Sequence, residues 1–280
     1  AWFLEAMLAI FKLRAVPINV NYRYVTEELR YLYDNADLVA VMFPRGLAAR
    51  VAGAASTVAS LKTFVVLEDG TDGDLAGLDA VEFEAAMAAG SEARDFPERS
   101  NDDLYIVYTG GTTGMPRGVM WRMEDVFFAG LQGGRPGRDP VTTPEEVAET
   151  AATGHLAMTM MPAAAFIHGA AQWAAWICLF TGAKLVVNPG KQFDPRKVLE
   201  MVEQESVTTL ILVGDAMARP IADVLEEEAD NYDVSSLMIL VSAGAILSDT
   251  VKEQLKEHFE GVMVLNNFGA TEVGHQGTAF

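Results

Sequence analysis

The residues best suited to chemistry lie between 109 and 118. There Thr109-Gly110-Gly111-Thr112-Thr113-Gly114-Met115-Pro116-Arg117-Gly118 directly follows the apolar run Leu104–Tyr108. Glycines let backbone N–H groups come close to a ligand and line an anion nest. The threonine hydroxyls add neutral donors, and Arg117 adds a permanent charge that can grip phosphate oxygens in a fork. The combination suits an oligophosphate. It is neither a G-x-x-x-x-G-K-[ST] loop nor a dinucleotide fingerprint, and a flexible Gly/Thr turn is the plain alternative.

A second group of residues lies near residue 270. Asn266-Asn267-Phe268-Gly269-Ala270-Thr271-Glu272 follows the apolar run Val262–Leu265. An aromatic after a strand can stack on a base, a threonine hydroxyl can bond phosphate, and a carboxylate can hold Mg²⁺ beside phosphates. Glu272 alone would pass for a solvated loop carboxylate. Ser242-Ala243-Gly244-Ala245-Ile246-Leu247 also follows an apolar run, and its small residues would let a flat ring approach the backbone. His168 lies in Met161–Gly169, where a lone histidine on an apolar segment also fits a satisfied core position.

Together these strings resemble the adenylate-forming superfamily of acyl-CoA synthetases, peptide-synthetase adenylation domains and beetle luciferases. Thr109–Gly118 is similar to its phosphate loop, with Arg117 where the usual form has Lys. Asn266–Glu272 looks like the Tyr-Gly-x-Thr-Glu motif, with Phe268 for Tyr. Ser242–Leu247 looks like the segment lining the adenine pocket, including Gly244 and Ala245, with departures at Ala243 and Ile246. Met161–Gly169 resembles the aromatic-and-His turn that opens the acyl pocket. Leu212–Pro220, together with Trp121-Arg122, is similar to actinobacterial-type fatty-acid and steroid side-chain CoA ligases.

The resemblance implies roles. Thr109, Gly110, Gly111, Thr112, Thr113, Gly114 and Arg117 would hold the β- and γ-phosphates of ATP. Asn266, Phe268 and Gly269 would border the adenine, with Phe268 packed on it. Thr271 would contact the α-phosphate, Glu272 would bind Mg²⁺, and His168 would lie near the bound carboxylate and the thiol tunnel. The implied reaction joins a carboxylic acid, fatty or otherwise apolar, to AMP with loss of pyrophosphate, and then passes the acyl group to coenzyme A. The resemblance runs along the whole chain but covers part of a typical member. The ribose-binding Asp, the hinge and the small C-terminal domain with its catalytic Lys are missing from it, so the chain reads as a fragment of the large N-terminal domain, and its activity by itself stays open.

The elements that must position these residues alternate. Val16–Val20, Leu38–Phe43, Thr63–Leu67, Leu104–Tyr108, Leu156–Met161, Lys184–Val187, Thr208–Val213, Leu237–Val241 and Val262–Leu265 read as strands. Several are unbroken apolar runs, as expected of strands covered on both faces. Helices fit between them. Thr26 is expected to cap 27–35, Asp194 with Pro195 to open a helix through Glu205, and Ser248 with Asp249 to open another through Phe259. Asp215 lies in Leu212–Pro220, where the resemblance implies acyl-pocket residues, and the cap of a further helix is its plain alternative. The pattern predicts an α/β fold, with two stacked αβ subdomains over 1–100 and 101–280 and largely parallel sheets. Three of the candidate ATP segments then fall beyond strand ends, where open α/β sheets bind ligands.

Composition narrows the function classes. The chain has 280 residues, 39 acidic against 20 basic, for a net charge of −19. Such a surface repels nucleic acid and anionic membranes. One cysteine, Cys178, permits no internal disulfide, and a cytoplasmic setting is expected. Leu156–Ala183 lacks charge but is broken by Pro162, His168, Gly169, Gln172 and Gly182, so it reads as strand, turn and buried helix rather than a membrane span. The four histidines show no metal-ligand spacing. Three other readings stay open: an amino-acid- or aryl-acid-activating domain with Asp215 on the substrate amine, a nucleotide-binding module without catalysis, and a scaffold with a relic loop.

Overall fold

The computed structural model describes residues 2–110, 114–154, 158–190, 192–259 and 261–279. Two compact units share the chain. One comprises 1–11, 100–105 and 120–280, and the other comprises 12–99 and 106–119. The chain passes between them along β4 (Leu104–Thr109) and β5 (Arg117–Arg122), which pair as a two-stranded sheet.

The unit of 12–99 and 106–119 is built on β1 (Ala40–Pro44), β2 (Thr63–Leu67) and β3 (Ala80–Glu82), parallel in that order. Helices α2 (Thr26–Asn35) and α3 (Ala48–Ala55) bury Leu29, Leu32, Tyr33, Val51 and Ala54 against Val41, Phe43 and Val66. Helix α2 begins one residue earlier than the sequence predicts. Val25 is its N-cap, and the Glu28 carboxylate accepts the Val25 N–H at 2.9 Å. The expected strand at Val16–Val20 reduces to one parallel bridge, Ile18 to Ile106. Its place in the ladder is taken by a side chain, because buried Asn19 bonds both backbone groups of Tyr108.

In the other unit six strands run in the order β11-β10-β9-β8-β6-β7. They are β6 (Thr159–Pro162), β7 (Lys184–Leu185), β8 (Thr209–Leu212), β9 (Ile239–Ser242), β10 (Met263–Ala270) and β11 (Gly274–Ala279). All pairs are parallel except β10 with β11. Helices α8 (Pro195–Glu205), α9 (Gly214–Glu228) and α10 (Asp249–His258) follow strands and build the larger core. Their faces bury Val198, Leu199, Val202, Ile221, Leu225, Val251 and Leu255 against Leu210, Leu212 and Leu240. At about 25 cal/mol per Å² of apolar area removed from water, such burial is the main stabilising contribution.

Helix starts at residues 194 and 248 follow the sequence reading. The Asp194 carboxylate accepts the N–H of Arg196 at 3.0 Å, and the Ser248 hydroxyl accepts that of Val251 at 3.4 Å. Helix α7 (Gly169–Phe180) is the buried helix expected within Leu156–Ala183 and buries Ala171, Gln172, Ala175 and Cys178. Among the described residues no helix is long and apolar enough to cross a membrane.

Candidate active site

Parallel register brings the predicted segments of the larger unit to one sheet edge. Pro162 lies level with Ile211, Leu212 with Ser242, and Ser242 with Asn266. The segments leading to His168, Gly214 and Gly244 therefore leave the same carboxyl-terminal edge of β6, β8 and β9, and β10 runs on past that edge to Phe268. Ligands of open α/β sheets bind at such an edge.

The start of α9 holds the segment after β9. Gly214 donates its N–H to the buried Ser242 hydroxyl at 3.1 Å, and Asp215 donates its own to the Ile246 carbonyl at 2.9 Å. Gly214 has φ +49°, and a Cβ there would lie 2.5 Å from the Ile246 carbonyl oxygen. No larger residue fits this approach. Gly244, Ala245 and Ile246 are left exposed at the rim.

Asp215 is not the cap of α9, because Val213 occupies that position. Its carboxylate accepts the Ser248 N–H and hydroxyl, each at 2.7 Å, and pairs with Arg219 at 3.1 Å. The Ser248 bonds, with Arg219 contributing less, hold it below the usual carboxylate range. It braces the starts of α9 and α10 rather than offering a free carboxylate.

Strand β10 continues past β9 and pairs with β11. Phe268 lies opposite Gly277, and the ladder shifts between Phe268 and Gly269. The Phe268 ring covers Gly277, where a Cβ would lie 2.4 Å from its Cζ. The ring is nevertheless 58% exposed and free to meet a flat partner. Thr271 and Glu272 form the turn between the two strands. The Thr271 carbonyl accepts the Trp121 indole N–H at 2.8 Å. Glu272 is exposed and makes no hydrogen bond or ion pair among the described residues. No group of three or more potential metal ligands occurs among those residues. One free carboxylate matches a Mg²⁺ ion whose other ligands are phosphate oxygens and water, not an all-protein cage.

His168 is exposed at the N-cap of α7, not in the core, and its carbonyl accepts the N–H groups of Ala171 and Gln172. Buried Gln172 anchors this turn. It donates to the Phe166 carbonyl at 2.7 Å and accepts from the Tyr105 hydroxyl at 2.5 Å. Burial pushes the Cys178 thiol up to about 12, so it is no nucleophile at neutral pH.

The phosphate loop belongs to the other unit. Gly111, Thr112 and Thr113 lie outside the described residues. Gly110 and Gly114 are exposed, and a Cβ on either would meet nothing within 4 Å. Arg117 is exposed and unpaired among the described residues. The loop is rooted at Tyr108, whose N–H donates to Asn19 at 2.6 Å and whose carbonyl accepts from it at 2.8 Å.

Reasoning from sequence missed three things: the Trp121–Thr271 bond, the Gln172 anchor, and an open cavity of about 370 Å³ lined by Phe128, Ala129, Gln132, Gly133, Pro140 and His275. Only Trp121 carried a signal, as part of a string without an assigned role. The cavity residues come from α5 (Met123–Ala129), the Gly/Pro-rich stretch after it and β11, and no local pattern links them.

The family described as AMP-binding enzyme matches residues 1–279. The 3-oxocholest-4-en-26-oate–CoA ligase of Rhodococcus rhodochrous is 40% identical over 282 residues, covering 98% of this chain and 50% of its own. The medium/long-chain-fatty-acid–CoA/3-oxocholest-4-en-26-oate–CoA ligase of Mycobacterium tuberculosis (strain ATCC 25618 / H37Rv) is 42% identical over 274 residues, with the same coverage. The chain thus spans about half the length of these curated relatives. Among solved structures, the anthranilate CoA ligase AuaEII in complex with anthranoyl-AMP superposes with TM-score 0.77 at 18% identity, over 97% of this chain and 48% of its own. A long-chain-fatty-acid-CoA ligase from Archaeoglobus fulgidus gives 0.74 at 18%, over 96% and 50%. These two share the fold.

Proposed function

Because the chain belongs to the AMP-binding enzyme family, we propose that it carries the nucleotide site of an AMP-forming acyl-CoA synthetase acting on an apolar carboxylic acid. The carrying observation is that Gly244, Ala245, Asn266 and Phe268 gather at one carboxyl-terminal sheet edge, with the free Glu272 in the turn that ends the same strand β10. A carboxylate is a poor acyl donor because its leaving group would be oxide. Its oxygen attacks the α-phosphorus of ATP, the bond to the β-phosphate oxygen breaks, and pyrophosphate leaves. Coenzyme A thiolate then attacks the acyl carbon, and AMP leaves. Both partners of the first step are anions, so the site must offset their repulsion.

Each residue has a part in that task. Phe268 packs on the adenine, with Gly244 and Ala245 at its edge and Asn266 and Gly269 bordering it. The Thr271 hydroxyl bonds the α-phosphate. Thr109 to Gly114 and Arg117 hold the β- and γ-phosphates, and His168 faces the carboxylate. Glu272 would hold Mg²⁺, which neutralises charge on the phosphates when bound. The cavity beside His275 offers an apolar wall at Phe128 and Pro140 for the acid's hydrocarbon part. Activation of an amino acid is disfavoured, since Asp215 is committed to Ser248 and Arg219.

Two measurements test the reading. Calorimetry should show Mg²⁺-dependent ATP binding to the chain, and Glu272→Gln should weaken Mg·ATP by about tenfold or more. Unchanged affinity removes Glu272 from the metal. Incubation with ATP and a panel of carboxylic acids, followed by mass detection, should reveal an acyl-adenylate. Thermal stabilisation by ATP with no adenylate from any acid would favour a binding module without catalysis.

A further inference from the structure

The turn that carries Glu272 has little to hold it. The ladder to β11 shifts after Phe268, and residues 271–273 lie outside both strands. The turn is closed locally by the Val273 N–H on the Ala270 carbonyl at 3.1 Å. A more distant anchor comes from β5, where Trp121 donates its indole N–H to the Thr271 carbonyl at 2.8 Å across 150 positions of sequence. The indole is itself held, since it meets the Trp173 ring of α7 edge-on, centroids 6.4 Å apart and planes at 85°. Such aromatic pairs have a preferred geometry that limits rotation of the ring.

A peptide group is planar, so holding the Thr271 carbonyl also holds the Glu272 N–H and the Cα from which its side chain departs. We infer that Trp121 is a positioning residue that presents Glu272 to the magnesium of bound ATP. Trp121 itself touches neither nucleotide nor metal in this role. An indole supplies a donor on a rigid, half-buried ring, which a phenyl ring of similar packing cannot replace.

The inference rests on the nucleotide reading above, and the two fail separately. ATP affinity of the chain is measured by calorimetry with Mg²⁺ and with a chelator, alongside the thermal midpoint. Trp121→Phe keeps an aromatic ring and deletes the donor. It should weaken Mg·ATP about fivefold, as expected for one hydrogen bond. ATP in chelator should change by less than about twofold, because Glu272 has no metal to hold there. Site-specific 3-benzothienylalanine at 121 preserves the ring outline with sulfur in place of N–H. It should give the same selective loss, which keeps the test valid if the Phe variant folds poorly. Equal losses with and without Mg²⁺, or no loss, overturn the positioning role and leave the nucleotide reading standing. A wild-type chain that binds no ATP under either condition overturns both.

Discussion

His275 shows how one side chain takes its properties from neighbours remote in sequence. It sits on β11 opposite Gly269 and lines the open cavity, and burial holds its imidazole below the ordinary value of 6.5. The sign of the linkage follows. The unfolded chain binds this proton more readily, so the stability that neutral His275 contributes is present above 6.5 and lost as pH falls through its lowered folded value. Thermal midpoints taken between about pH 7.5 and 5.5 should fall with acidification, and His275→Gln should flatten that fall. An unaltered slope would show that His275 is not the titrating group. At this scale Cys178 is buried, as its apolar surroundings in sequence suggested, and Glu272 and Arg117 are exposed. Two plain alternatives that the sequence left open, a core position for His168 and a cap for Asp215, are excluded by the structure. In both cases the deciding partner or exposure depends on another element, Ser248 of α10 in the case of Asp215.

At the scale of elements, apolar runs and caps marked most strands and helices, and the strands without such runs were invisible. Strand β11 reads Gly-His-Gln-Gly-Thr-Ala and has no alternation to detect. It forms because β10 outruns β9. Beyond Asn266 the β10 backbone has no parallel partner, and its N–H and C=O groups pair with β11 instead. The pairing sets the Phe268 ring over Gly277. Gly277→Ala should push the ring aside, because the new Cβ would lie 2.4 Å from Cζ and 2.9 Å from Cε1. ATP affinity should fall about fivefold, the worth of one aromatic contact, with the fold retained. Calorimetry and a circular dichroism melt measure both, and full ATP affinity would argue that Phe268 does not pack on adenine.

For the molecule as a whole, charge is the property most directly readable from composition. With a net charge of −19, mutual repulsion works against the compact state. Raising NaCl from about 10 mM to about 150 mM shortens the screening length from about 30 Å to about 8 Å and should raise the melting temperature. A drop would mean that ion pairs such as Arg45–Glu68 and Arg196–Glu228 outweigh the repulsion. The sequence alone determined the α/β alternation, the parallel sheets and the residue types suited to phosphate and metal. These depend on local pattern: apolar runs, turn residues and caps act over a few positions. Tertiary structure decided register, which set Ser242 level with Asn266 and Phe268 over Gly277. It also decided the long-range bonds, in which Asn19 replaced a strand and Trp121 reached Thr271. A hydrogen bond between residues 150 positions apart leaves no local trace, because its two ends meet only when separate elements pack.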